Sequence, residues 1–165
     1  MRRERVRNEG NSFIFLSGKK YGVEVSHMQG IEKFGEVSQP PDMPDFLEGV
    51  TDIRGEDIPV LAIRKRLILP ETGVTEKTKF LVFRTQYGRM ACIVDGISQI
   101  LKIDKDDAQE FPRIIQNAET GYADFVARNG GELILVINPE NLLSEEDWKT
   151  VHEMLDRMED EEEND

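Results

Sequence analysis

The sequence predicts a β-rich barrel or sandwich assembled from two related units and finished by one helix. Three observations carry this reading. Short apolar runs rich in Val, Ile and Phe recur between turn-forming Gly, Pro, Asn and Asp. A set of landmarks occurs twice with the same spacing. Only the last segment has sustained helical periodicity, so the helical stretches of about 10–15 residues that a doubly wound α/β sheet needs between strands are missing.

The elements follow in order. Residues 1–11 are polar and basic without periodicity, and read as a loose arm. Ser12–Leu16 is a Phe- and Ile-rich run closed by the turn Ser17-Gly18-Lys19-Lys20. Tyr21–Val25 alternates, with Tyr21, Val23 and Val25 on one face. Gln39–Pro44 holds Pro40, Pro41 and Pro44 and must be a loop. Val50–Ile53 and Ile58–Ile63 are strands around the turn Arg54-Gly55-Glu56-Asp57, and Pro70–Thr78 is a second polar loop. Phe80–Phe83, Met90–Val94 and Gln99–Ile103 are three further strands. Phe125–Ala127 and Leu133–Ile137 form a hairpin about Asn129-Gly130-Gly131. In the final segment Ser144 and Asp147 have the spacing of a capping box, and Trp148, Val151, Leu155 and Met158 form one apolar stripe.

The repeat lies in the glycines and the strands that precede them. Tyr21-Gly22 leads to Gly30-Ile31, and Tyr87-Gly88 leads at the same distance to Gly96-Ile97. Phe-led strands, at Phe13 and Phe80, stand before each pair. Gly55 precedes Ile58, Val60 and Leu67 as Gly130 precedes Leu133, Leu135 and Leu142. Two units, about 12–67 and 79–142, are each too small to bury a good core alone, so they are expected to interlace and leave a groove between them. With the helix at 144–158 they make one domain over 12–155.

Composition narrows the function. The chain has 165 residues, 33 acidic and 21 basic, for a net charge of −12, which disfavours general nucleic-acid binding. Seven carboxylates and one arginine between Asp156 and Asp165 carry −6 of this, and 159–165 is expected to be a disordered acidic tail. One cysteine, Cys92, within an apolar run, allows no internal disulfide, and two distant histidines, His27 and His152, leave little for a metal centre. No long apolar span or phosphate-binding glycine loop occurs. No catalytic set, cofactor site or metal site is expected. The informative residue is Arg54, at a tight turn between apolar strands. It is a solvated turn residue, a partner in a local ion pair with Asp52 or Asp57, or a rigidly presented guanidinium of the kind enriched at interfaces.

The stretch Gly49-Val-Thr-Asp-Ile-Arg54-Gly55, continued by Ile58-Pro59-Val60 and Arg64, resembles the signature of CheW-type chemotaxis coupling proteins. Three further blocks agree in order: Phe13–Leu16 with Tyr21-Gly22-Val23, Cys92–Ile97, and Leu133–Leu143. The resemblance implies a mainly β fold of two entwined SH3-like five-stranded β-barrels with a C-terminal helix. It implies a non-enzymatic cytoplasmic adaptor, recruited to membrane receptor arrays without inserting in the membrane. That adaptor joins methyl-accepting chemotaxis receptors to the regulatory domain of a CheA-type histidine kinase. Carried onto this sequence, the partner-binding positions are Met28, Gly49, Arg54, Phe80 and Ile100. The kinase-facing surface falls on the first barrel, with edge strands around Phe34–Val37 and Ile58–Ile63. The chain departs from the pattern at Gly30, where the family has a glutamate at a partner contact, and at Asp52, Ala62 and Asp124. Loss of that acidic contact leaves open an adaptor of a divergent, non-flagellar pathway controlling surface motility or a second messenger.

Overall fold

A computed structural model describes residues 12–16, 21–66, 73–102, 108–110, 123–129 and 131–164. The first half contributes β1 (Ser12–Leu16), β2 (Tyr21–Glu24), β3 (Met28–Lys33), β4 (Gly49–Ile53), β5 (Glu56–Ala62) and the short helix α1 (Ile63–Arg66). The second half contributes β6 (Lys79–Thr85), β7 (Gly88–Val94), β8 (Ile97–Lys102), β9 (Ala108–Glu110), β10 (Ala123–Asn129), β11 (Glu132–Ile137) and the helix α2 (Glu145–Asn164). These strands form two sheets, one ordered β8-β1-β2-β11-β10-β9 and the other β3-β6-β7-β5-β4. The fold is mainly β and SH3-like, with a C-terminal helix.

The two halves exchange strands reciprocally. The β1–β2 hairpin is flanked by β8 and β11 of the second half, while the β6–β7 hairpin is flanked by β3 and β5 of the first. With β9 set aside, the sheets have the same order. The registers correspond as well. Ile31 pairs with Leu81 as Ile100 pairs with Ile14, and both pairings slip one residue earlier in their third strands. The parallel pairs match too, Val60 with Ala91 and Val136 with Gly22. The repeat is therefore present in the topology, but the glycine spacing misaligns it. The counterpart of Gly22 is Ala91 rather than Gly88, that of Gly30 is Gln99 rather than Gly96, and that of Gly55 is Gly131 rather than Gly130. Turn glycines follow local chain reversals, and the β1–β2 and β6–β7 hairpins differ in turn length.

The second sheet is buried on both faces. Leu61, Leu81, Phe83, Met90, Cys92 and Val94 face a large core that also takes Val23 and Ile137 from the first sheet and Trp148, Val151 and Met154 from α2. Ile58, Val60, Phe80, Val82 and Ala91 face a smaller core closed by Phe34 and Val37. Burial on both faces is why β5, β6 and β7 read as continuous apolar runs. Each fully buried large side chain contributes about 1.5–3 kcal/mol, so three from α2 suffice to hold the helix down.

The capping box forms as its spacing predicts: the Asp147 N–H donates to Ser144 Oγ at 3.0 Å, and the Ser144 N–H to Asp147 Oδ2 at 3.1 Å. Four expectations are corrected. Phe34–Val37 is not a strand, and β3 lies just before it. Ile58–Ile63 is not an edge, because β5 is enclosed by β7 and β4; the edges of this sheet are β3 and β4. The strand after Val25 was missed, since Val25–His27 is a 3-10 turn that interrupts the alternation. Finally, α2 continues past Met158 to Asn164, where a disordered tail was expected. Glutamate is a good helix former, and extending a helix already fixed by packing needs no new nucleus. The 1–11 arm and the turn at 17–20 lie outside the described residues.

Candidate functional site

Arg54 stands at the tip of the β4–β5 hairpin, in a two-residue turn closed by the Ile53–Glu56 pair. Both turn residues have positive φ, 55° for Arg54 and 85° for Gly55, the conformation that matches the right-handed twist of paired strands. Asp52 stabilises the turn, its Oδ1 accepting the Gly55 N–H at 2.9 Å. A carboxylate accepts this bond as an asparagine oxygen would, so the departure at Asp52 leaves the turn intact. A non-glycine residue in this region costs on the order of 1 kcal/mol. The counterpart turn in the second half has the sequence Asn129-Gly130-Gly131, glycine in the place of the arginine. The guanidinium is thus held where glycine is the easier choice.

Its side chain is 84% exposed, with Nη2 3.3 Å from Glu32 Oε1 on β3. The partner is Glu32, not Asp52 or Asp57. An ion pair this exposed contributes about 0–1 kcal/mol, so it orients the guanidinium without tying up its remaining donors. Two concavities meet at this pair. One, of about 380 Å³, has Phe80 at its floor and Glu36, Asp52 and Asp57 at its rim. The other, of about 240 Å³, lies beside Gly30, Ile31 and Arg89. Arg89 is ion-paired with Glu56 and donates to Gln29 Oε1 at 3.2 Å. Ile31 is 43% exposed on the β3 edge. Its side chain follows that of Leu81, its partner on β6, and so points to the opposite face from Glu32 and Arg54; the exposed surface at this site is the two guanidiniums with their carboxylates.

The predicted positions are not all alike. Arg54 is presented to solvent. Gly49 is buried, with φ 155°, and a Cβ there would lie 2.2 Å from the Ser38 carbonyl oxygen, so its role is to let residues 37–38 cross the hairpin. Phe80 is 2% exposed and packs its ring 5.1 Å from that of Phe34, which places it in the core beneath the site and not among exposed contacts. Met28 is half-buried against the large core. Ile100 lies in β8 of the other sheet, as the backbone counterpart of Ile31. Sequence reasoning missed Glu32 and Arg89, neither of which carries a local signal.

Other reactive groups lie elsewhere. Cys92 is fully buried and its thiol is pushed up to about 12 by burial. His27 lies 3.6 Å from Glu24. His152 is exposed on α2, its ring 5.6 Å from that of Trp148. Among the described residues no group of acids, histidines and cysteines could hold a metal ion, and no helix is long and apolar enough to cross a membrane.

Comparison with known proteins is consistent with this geometry. The CheW-like domain model matches residues 13–147. The chain is 25% identical over 144 residues to the chemotaxis protein CheW of Klebsiella aerogenes, covering 86% of this chain and 87% of that protein. It is 24% identical over 133 residues to the chemotaxis protein CheW of Bacillus subtilis, covering 81% and 85%. The crystal structure of the scaffolding protein TtCheW from Thermoanaerobacter tengcongensis superimposes with a TM-score of 0.73 at 21% identity, over 81% of this chain and 92% of that one.

Proposed function

The chain belongs to the CheW-like family, and from that membership we propose that it is a non-enzymatic cytoplasmic adaptor joining methyl-accepting chemotaxis receptors to a CheA-type histidine kinase. The observation that carries the proposal is Arg54, an exposed guanidinium at a turn position that favours glycine. Retaining an arginine at a conformational cost is understandable if it meets a partner. Arg89, ion-paired with Glu56, extends the same surface.

The adaptor works by position. It holds the kinase where a change in receptor conformation alters their mutual contacts, a coupling of about 1–3 kcal/mol. The rigid double-core frame supports this, because a surface fixed to packed strands transmits displacement rather than absorbing it. The test is Arg54→Glu, measured for binding to a receptor signalling-tip fragment and to the kinase regulatory domain. Loss of a central interface arginine weakens binding about tenfold or more, while the circular-dichroism melt stays within a few degrees of wild type. Unchanged affinity for both partners would refute the role of Arg54.

A further inference from the structure

The opposite side of the second sheet carries another concavity, of about 560 Å³, between α2 and the Gln86-Tyr87 turn that joins β6 to β7. Gly88 and Arg89 are successive residues of β7, so their side-chain positions point to opposite faces. Arg89 lies beside Arg54, whereas a Cβ on Gly88 would meet Trp148 Cζ3 at 3.2 Å and His152 Nε2 at 3.4 Å. Occupying one site therefore leaves the other free.

The wall of this groove is aromatic. Tyr87 and His152 flank Trp148, with ring centroids 6.5 and 5.6 Å from it. Trp148 is 2% exposed and set in the large core, which makes it a fixed backing for Tyr87 and His152, the rings a ligand can meet. The rim is acidic: Glu145, Glu146, Glu153 and Asp156 stand against one lysine, Lys149. The turn that carries Tyr87 is held from behind by a carboxylate that does not line the groove. Glu140 Oε1 accepts the Gln86 N–H at 2.8 Å, and Glu140 Oε2 is buried with no hydrogen-bond partner among the described residues.

We propose that this groove docks a basic peptide segment of a partner protein, with an arginine or lysine lying against the Tyr87 and His152 rings that Trp148 backs and its charge facing the α2 carboxylates. Charge complementarity selects this occupant. An anionic segment would meet an excess of three negative charges, and an uncharged apolar helix would leave four carboxylates at its margin unpaired. A cation over aromatic faces with carboxylates at the rim satisfies both features. The inference does not depend on the role of Arg54.

Trp148 is the single tryptophan of the chain, so its emission reports the groove directly. The probe is a short synthetic peptide of Arg, Gly and Ser, compared with versions carrying Glu or Leu in place of Arg. The Arg peptide is expected to shift Trp148 emission saturably, and the other two are not. Glu153→Lys should weaken binding about tenfold, whereas Glu159→Lys, the same charge change on the same helix outside the groove, should weaken it less than about threefold. Tyr87→Leu should also weaken binding with the far-ultraviolet spectrum unchanged. Equal losses at Glu153 and Glu159 would overturn the proposal in favour of diffuse attraction to an acidic body. Equal binding of the Leu peptide would overturn it in favour of an apolar occupant, and no emission change with the Arg peptide would overturn it outright.

Discussion

Gly49→Ala separates a conformational role from a contact role at a signature glycine. The added Cβ would lie 2.2 Å from the Ser38 carbonyl oxygen and 2.6 Å from Val37 Cγ1. Ordinary contacts begin near about 3.5 Å, so the overlap with the carbonyl oxygen is on the order of 1 Å. Residue 38 has little room to retreat. Ser38 and Val50 exchange backbone hydrogen bonds of 2.8 Å in both directions, and Thr51 Oγ1 donates to the Glu36 carbonyl at 2.8 Å. Breaking two such bonds costs about 1 kcal/mol each, and alanine at a φ of 155° adds about 1–3 kcal/mol of backbone strain. The expected loss is about 3–5 kcal/mol, which for a chain of this size lowers Tm by about 10 °C. Thermal unfolding followed by circular dichroism measures it, with Gly35→Ala as control because nothing lies within 4 Å of a Cβ there. A Tm within about 2 °C of wild type, accompanied by lost partner binding, would exclude the steric role and restore Gly49 as a contact residue.

Further outcomes follow from the same geometry. Arg54→Asn relieves the left-handed strain at the turn and loses a weak ion pair, so stability should hold or rise by up to about 1 kcal/mol in urea unfolding while receptor binding falls. Ser144→Ala removes the acceptor for the Asp147 N–H and should cost about 1 kcal/mol. The Cys92 thiol, raised by burial from 9.0 to about 12, is protonated in the folded chain over a range where the unfolded chain has ionised. The native state then binds more protons than the unfolded one, so stability present below pH 9 is lost as pH rises from 9 toward 12. Thiol titration with a disulfide reagent should show no reaction in the native chain at pH 8 and full reaction in denaturant; fast native labelling would contradict the burial.

Local chemistry was legible in the sequence wherever one element decides it. The Ser144–Asp147 cap, the Arg54-Gly55 hairpin and the proline loop at 39–44 follow from spacing and residue type alone. The strand exchange was not, because pairing β3 with β6 or β11 with β2 is a long-range choice that no local pattern encodes. Phe80 illustrates the limit at the site. Its strand is buried on both faces, so no alternation marks which residues face a partner and which the core. Glu32 was hidden for the complementary reason: its value as the Arg54 partner arises only when β3 and the β4–β5 turn come together in space.

A chain that bridges two partners through surfaces fixed on one frame should carry the kinase to the receptor. Co-sedimentation tests this directly, with receptor-bearing membrane vesicles, the kinase, and either this chain, its Arg54→Glu variant or neither. The kinase should enter the pellet with the wild-type chain and remain in the supernatant with the variant or with no chain. Equal sedimentation of the kinase in all three would contradict the bridging role.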